Sequence, residues 1–241
     1  MSQKKKVQPQ KKAISDGTLA VIIIIAAVVI MAAFVVVIMC LPSNEPVEVN
    51  MTDIQSQINS HKVTDFTETS KKTEYVKITV KDHGDIVIRL RPDIAPETVK
   101  NFQTLVAGGF YDGLTFHRIY KNFMIQGGDP KGDGTGDSGT EIKGEFTANG
   151  FENNLKHVRG VISMARGNDP DSASCQFFIC DATSAHLDGN YASFGYVMAG
   201  MDTVDSIAAV EVQPNKSGEK SDPIKDVIIE KIVFVKDNHN H

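Results

Sequence analysis

The sequence predicts a mainly β domain over residues 74–236, a closed barrel or a sandwich with two α-helices, preceded by one transmembrane helix. Three observations carry this. Short segments alternate apolar and polar residues with period two, the pattern of half-buried strands. Gly-rich connections separate them at short spacing, which favours barrels and sandwiches. Upstream, residues 19–41 form 23 apolar residues without a break.

A 23-residue helix rises about 35 Å, enough to cross a hydrocarbon layer of about 30 Å. A cleaved secretory signal has an apolar core of about 7–15 residues and ends on small residues. Here the run ends Ile38-Met39-Cys40-Leu41-Pro42, so a retained helix is expected over a signal or a lipidated Cys40. Residues 1–18 hold five lysines against Asp16, a net +4, while the whole chain is −5, so the remainder carries −9. Basic residues flank membrane helices on the cytoplasmic side. The expected location is therefore single-pass in a cell membrane, with the N-terminus cytoplasmic and the main domain extracytoplasmic. An acidic main domain excludes nucleic acid as the expected partner, because phosphate contacts need clustered Lys and Arg.

Residues 42–73 are polar, with scattered apolar side chains, and read as a stalk with a short helix around Ile54 and Ile58. A flexible stalk of that length reaches about 30 Å. From Glu74 the alternation begins. Tyr75–Lys81 and Asp85–Leu90 form a hairpin through His83-Gly84. Ala95-Pro96-Glu97 opens a helix that Gly108-Gly109 ends. Strands follow at Leu114–Ile119, Phe123–Gln126, Val158–Ala165, Cys175–Cys180 and Ala192–Val197. A second helix fits Val204–Ala209, a last strand Asp226–Val235, and 237–241 are a polar tail. Cys175 and Cys180 lie five apart on one strand, so they face opposite ways, about 17 Å apart, and cannot bridge.

The long loop from Gly127 contains three motif fragments that fail on context. Gly134–Gly139 fits G-x-G-x-x-G, but no helix follows and no βαβ unit encloses it. The run from Asp129 to Gly134 starts like a calcium loop, yet Lys131 and Thr140 stand where two ligands belong. Gly136-Asp137-Ser138-Gly139 matches a trypsin-like nucleophile segment, but no matching upstream histidine segment supplies the base. None of the seven histidines sits in a metal-binding sequence motif.

Four stretches remain, in order: Phe116-His117-Arg118-Ile119; Phe123-Met124-Ile125-Gln126-Gly127-Gly128-Asp129; Gln176-Phe177-Phe178-Ile179-Cys180; and His186-Leu187-Asp188-Gly189 with Phe194-Gly195. Their order and spacing resemble the cyclophilin family of peptidyl-prolyl cis/trans isomerases over about residues 74–236. The resemblance implies a closed eight-stranded antiparallel barrel capped by two helices. It also implies acceleration of protein folding by isomerising X–Pro bonds, with no cofactor and no metal. The implied alternative on the same fold is a non-catalytic proline-peptide-binding or chaperone module.

By this resemblance, Arg118 and Gln126 are the catalytic pair. Phe123, Met124, Phe178 and Leu187 form the proline pocket, and Ala165, Arg166, Gln176, His186 and Tyr191 complete the substrate-binding set. Taken alone, Phe123, Met124 and Phe178 read as core, and Arg118 as a surface cation. Strand alternation puts Gln176 and Phe178 on one face, and Met124 and Gln126 on another. His117 is expected to be structural, since rotation about a bond transfers no proton. His186 replaces a family tryptophan, Tyr191 a histidine and Arg166 an asparagine. Loss of that tryptophan implies weak cyclosporin binding. The pattern looks like bacterial members, so the implied partners are proline-containing unfolded or exported polypeptides and the membrane.

Overall fold

The computed structural model describes residues 47–239. The expected span at 19–41 lies outside the described residues, as does the basic tail before it. Among the described residues no helix is long and apolar enough to cross a membrane. The expected single-pass location is corrected on that ground.

In chain order the elements are α1 (Met51–Gln57), β1 (Phe66–Glu68), β2 (Tyr75–Val80), β3 (Gly84–Leu90), α2 (Pro96–Ala107), β4 (Arg118–Tyr120) and β5 (Met124–Gly127). Then come β6 (Val161–Met164), β7 (Phe177–Cys180), β8 (Ser193–Ala199), α3 (Met201–Ala208), β9 (Val212–Pro214), β10 (Lys220–Pro223) and β11 (Ile229–Asp237). Nine strands form one sheet in the order β1-β11-β2-β3-β8-β6-β7-β5-β4, while β9 and β10 pair as a separate ribbon. All pairings are antiparallel.

The expected closed eight-stranded barrel with two helices is therefore corrected. No ladder joins β4 back to β1, so the sheet does not close, and three α-helices lie among the described residues. Closure would need a continuous ladder at the seam. There the residues before β4 meet the approach to β11 through the isolated bridge Thr115↔Ile228 and neighbouring main-chain bonds.

The main core forms where period-two strands turn one side inward. Along β2 the side chains of Val76, Ile78 and Val80 are buried and their neighbours half-exposed. Helix α2 lays Val99, Phe102 and Val106 against this core, the i, i+3, i+7 stripe of an amphipathic helix. Burial of each such side chain contributes about 1.5–3 kcal/mol. Cys175 and Cys180 are both free and buried, and burial pushes their thiols up to about 11 and about 12.

The sheet's other side is covered by the segment expected as a stalk. Asn50 caps α1, its Oδ1 accepting from the amides of Thr52 and Asp53. Ile54 is buried in a second cluster with Val87, Val161 and Tyr196. Gln57 Oε1 accepts from the Tyr196 hydroxyl at 2.6 Å. Asn59 Oδ1 accepts from the amides of Gly200 and Met201, capping α3, whose own N-cap is a glycine. Strand β1 then pairs with β11. Val49, Met51, Ile54, Ile58, Val63 and Phe66 dock this segment together with these caps; only Met51, Ile54 and Ile58 follow a helical period, so the rest reads as a polar stretch with scattered apolar residues.

Helix α2 has Ala95 at its N-cap, a residue with no side chain able to cap. The buried Glu145 carboxylate fills that role from a distant loop, accepting from Glu97 N at 3.0 Å and Thr98 N at 2.8 Å. A negative charge at the positive end of a helix adds to the two hydrogen bonds. Glu145→Ala is expected to cost about 1–3 kcal/mol, since it strands buried amides. Urea denaturation reads this as a lower midpoint at unchanged slope; coincident midpoints would refute the capping role.

Candidate active site

Register builds the site. Arg118 on β4 pairs with Gln126 on β5, Gln126 with Phe178 on β7, and Phe178 with Ser163 on β6. Directly opposed residues in antiparallel pairs share a face. The four side chains therefore form one row across four strands. Gln176 and Phe178 share a face with Met124 and Gln126, because the strands pair in this register.

Along the row runs a hydrogen-bond chain. Arg118 Nη1 donates to Gln126 Oε1 at 3.1 Å, and Gln126 Nε2 donates to Gln176 Oε1 at 3.0 Å. Gln176 Nε2 donates to the carbonyls of Gly134 and Gly136, at 3.1 and 2.8 Å. The row also has an apolar neighbour. Met124, Phe178, Cys180 and Leu187 form a small buried cluster, with Phe123, Ala165 and Tyr191 packed on it.

These groups border a cleft of about 620 Å³. Arg118, Phe123, Met124, Gln126, Ala165, Arg166, Phe178, Leu187 and Tyr191 line it. Gln176 and His186 stand one layer back. Gln176 holds Gln126, and the His186 ring packs on Phe123 with centroids 5.4 Å apart. Arg166 lies over the rings of Tyr191 and Phe146, at 4.8 and 5.0 Å, while its Nε and Nη1 donate to backbone carbonyls. His117 also lines the cleft; burial holds its pKa below the ordinary value against the opposing pull of Asp129, so it stays neutral.

Three features of the site go beyond the roles that the sequence motifs imply. The first is Glu219, from the β9–β10 ribbon. Its carboxylate accepts from Arg118 Nε at 2.7 Å and Nη2 at 2.9 Å. This two-pronged pairing fixes a guanidinium in plane and angle. With Gln126 on Nη1, three of the five N–H donors of Arg118 are engaged and two are left over. The ribbon's turn, Asn215–Ser217, forms a cleft wall facing the glycine loop Gly132–Thr135.

The second is the peg under that glycine loop. Asp129 is buried, and its carboxylate accepts from the amides of Lys131 at 2.8 Å, Asp133 at 3.1 Å and Gly134 at 2.6 Å. Burial raises its pKa, but the backbone donors outweigh that and leave it below the ordinary value. The calcium-loop reading fails here for a physical reason, as these oxygens are spent on backbone amides. A Cβ on Gly136 would meet Asp129 Oδ1 at 1.9 Å, so that position admits only glycine.

The third is a buried Ser163–His157–Asp188 chain behind Phe178. His157 Nδ1 lies 3.0 Å from Asp188 Oδ1 and Nε2 lies 2.9 Å from Ser163 Oγ. Burial lowers the His157 pKa, against the pull of Asp188, so the ring is neutral. The carboxylate can only accept, which assigns the proton to Nδ1 and makes Nε2 the acceptor for the serine hydroxyl. The distances resemble a hydrolase triad, but Ser163 has no exposed surface and no substrate can reach it. The chain instead fixes the imidazole, which stacks on Phe178 with centroids 6.0 Å apart. Ser138, the other serine considered, bonds to Ser174 and Thr140, neither of them a base.

Fold and cleft define the class of protein: a β-rich, peptide-sized cleft whose oriented arginine borders an apolar hollow, with the nearby Ser–His–Asp chain sealed from it. The family profile for "Cyclophilin type peptidyl-prolyl cis-trans isomerase/CLD" matches residues 75–233. Peptidyl-prolyl cis-trans isomerase-like 3 of Gallus gallus is 43% identical over 150 residues, covering 61% of this chain and 91% of that protein. Peptidyl-prolyl cis-trans isomerase cyp15 of Rhizopus delemar is 44% identical over 148 residues, 61% of this chain but only 23% of that longer protein. A crystal structure of a Cryptosporidium parvum cyclophilin type isomerase, in the presence of the dipeptide Ala-Pro, matches at TM-score 0.59 and 32% identity, covering 66% of this chain and 98% of that one. This chain belongs to the cyclophilin-type peptidyl-prolyl cis-trans isomerase family and is an isomerase of that type. These named relatives are eukaryotic, so they lend nothing to the expected bacterial, extracytoplasmic setting.

The Arg118–Glu219 pair makes a pH prediction. The two donors of Arg118 hold the Glu219 carboxyl at about 2, against an ordinary 4.5. A carboxyl depressed in the folded state stabilises the fold above its unfolded pKa, and that contribution fades as pH falls through the folded value. Thermal melts of wild type and Glu219→Gln should differ most above about pH 5 and converge toward about pH 2. A gap independent of pH would refute the pairing.

Proposed function

We propose that the chain isomerises X–Pro bonds by donating a hydrogen bond from Arg118 to the proline nitrogen in the twisted state. The observation that carries this is a guanidinium fixed by Gln126 and Glu219 at the edge of the Phe123–Met124–Phe178–Leu187 hollow. Rotation about a peptide bond faces a barrier of about 18–20 kcal/mol, most of it lost amide resonance. X–Pro bonds interconvert in tens to hundreds of seconds unaided. No covalent bond needs to break. In the twisted state the proline nitrogen becomes pyramidal and recovers its lone pair, so a donor placed there acts on that state alone. Removing about 6 kcal/mol gives roughly four decades of rate.

The other residues hold the substrate. Burial of the three proline ring methylenes is worth about 2 kcal/mol, which is binding and not acceleration. Gln126 orients the arginine, and Gln176 orients Gln126. The cleft accepts a short extended peptide with proline in the hollow. The Ala-Pro dipeptide present with the Cryptosporidium relative supports a proline-containing peptide as the substrate class.

Arg118→Ala should lower kcat/KM by about 10²–10³ in a protease-coupled proline-peptide assay on the full chain, the usual cost of one lost transition-state donor. KM should change little, since the hollow is intact. Equal rates would overturn the mechanism. If peptides bind while both forms interconvert them at the spontaneous rate, the non-catalytic binding module is the correct reading.

His186 stands where the family places a tryptophan, and it packs on Phe123 without lining the cleft. A large cyclic ligand loses an aromatic wall there. Inhibition by cyclosporin is expected only at micromolar concentration or above, and a nanomolar inhibition constant would defeat this.

A further inference from the structure

On the sheet edge opposite Arg118, two imidazoles converge on one carboxylate. His61 Nε2 lies 3.6 Å from Asp237 Oδ2, and His239 Nδ1 lies 3.4 Å from Asp237 Oδ1. One ligand atom from each residue can be chosen so that all lie within 4.8 Å of one another. We propose that these three residues form a binding site for one divalent transition-metal ion, Zn²⁺ by preference. Its ligands would be His61 Nε2, His239 Nδ1 and a carboxylate oxygen of Asp237, with a fourth position open to water.

Geometry supports this. Ligands about 2.0–2.1 Å from a tetrahedral zinc stand about 3.3–3.4 Å apart. His61 Nε2 and His239 Nδ1 lie 3.6 and 3.4 Å from different oxygens of Asp237, close to that spacing, so a turn of the carboxylate or a small movement of the His239 side chain, 61% exposed, brings both nitrogens to one oxygen. Two imidazoles and one carboxylate with an open position are a donor set that zinc takes.

The surroundings hold the donors in place. Ser60 Oγ lies 2.9 Å from His61 Nδ1. With an ion bound, Nδ1–H can donate to that hydroxyl and leave the Nε2 lone pair to the metal, the role that outer partners play for zinc-bound histidines. The His61 amide donates to Met198 O, which fixes its backbone on β8. Asp237 closes β11 and sits opposite Phe66 of β1. Its Oδ1 accepts from the His239 amide at 2.9 Å, and Asn238 is tied to Asp65 and Thr67. Donors from both ends of the described chain are thus set before an ion arrives. Bound there, the ion would staple the segment ahead of β1 to the last strand, away from the cleft.

The test is calorimetric titration of the metal-stripped full chain with ZnCl₂ alone. One ion per chain, micromolar affinity or tighter, and a higher Tm with zinc are expected. His61→Ala and His239→Asn should each weaken binding by about tenfold or more. Proline-peptide isomerisation should be unchanged by either substitution. Absence of saturable binding overturns the site, and so does one-to-one binding that survives both substitutions. His239→Asn alters an exposed position, so it keeps the test decisive if His61→Ala fails to fold.

Discussion

The site rests on holding one guanidinium in a fixed plane while leaving part of it free. Arg118 is about one-third exposed, with the rest of its side chain covered by protein. A charge in that position loses hydration, and an unpaired one would swing toward water. Gln126 alone would fix a single nitrogen and allow rotation about it. Glu219 takes the other edge with two bonds, so the pair of restraints defines an orientation. The donors left over are the ones a substrate can use. Glu219 reaches Arg118 from a ribbon outside the main sheet, so the ribbon's attachment is part of the same constraint.

Behind the arginine, each restraint is itself restrained. Gln176 holds Gln126, and the carbonyls of Gly134 and Gly136 hold Gln176. Those carbonyls belong to a loop without regular structure, which Asp129 fixes by gathering three amides. On the apolar side, Asp188 and Ser163 fix His157, and His157 backs Phe178. The polar chain and the apolar stack start from neighbouring positions of one cross-strand row. Register thus sets the distance between the donor and the hollow, and a slip of one residue would turn every member to the other face.

What the sequence makes legible follows from period and order. Val76, Ile78 and Val80 alternate cleanly, and Pro96 and Gly108 mark the ends of α2, so these elements are readable one residue at a time. The ordered stretches around Arg118, Gln126, Phe178 and Leu187 identify the cleft, the first three because they lie on regular strands and Leu187 because a short turn at Ala185–Leu187 presents it. Glu219 is unreadable: it follows a turn in a short ribbon, and its partner lies far away in sequence. Asn59 and Glu145 are hidden for the same reason, each capping a helix from another segment. His61 and Asp237 meet because the segment before β1 docks on β8 and β1 pairs with β11. Openness of the sheet is also invisible locally, since each strand alternates alike whether or not the ends join.

Glu219 and Asp129 show why the charged groups around this cleft are not interchangeable with neutral ones of the same shape. An amide at 219 could offer one oxygen to Arg118, but its NH₂ group would face a second donor and be repelled. An amide at 129 would place two hydrogens against backbone amides that also donate. In both places the geometry calls for a group that only accepts, with two oxygens converging on several donors. A carboxylate is the one side chain with that property, and its negative charge is offset at 219 by Arg118 and at 129 by backbone dipoles. The acidic excess of the chain is in these places a consequence of how the arginine and its loop are held.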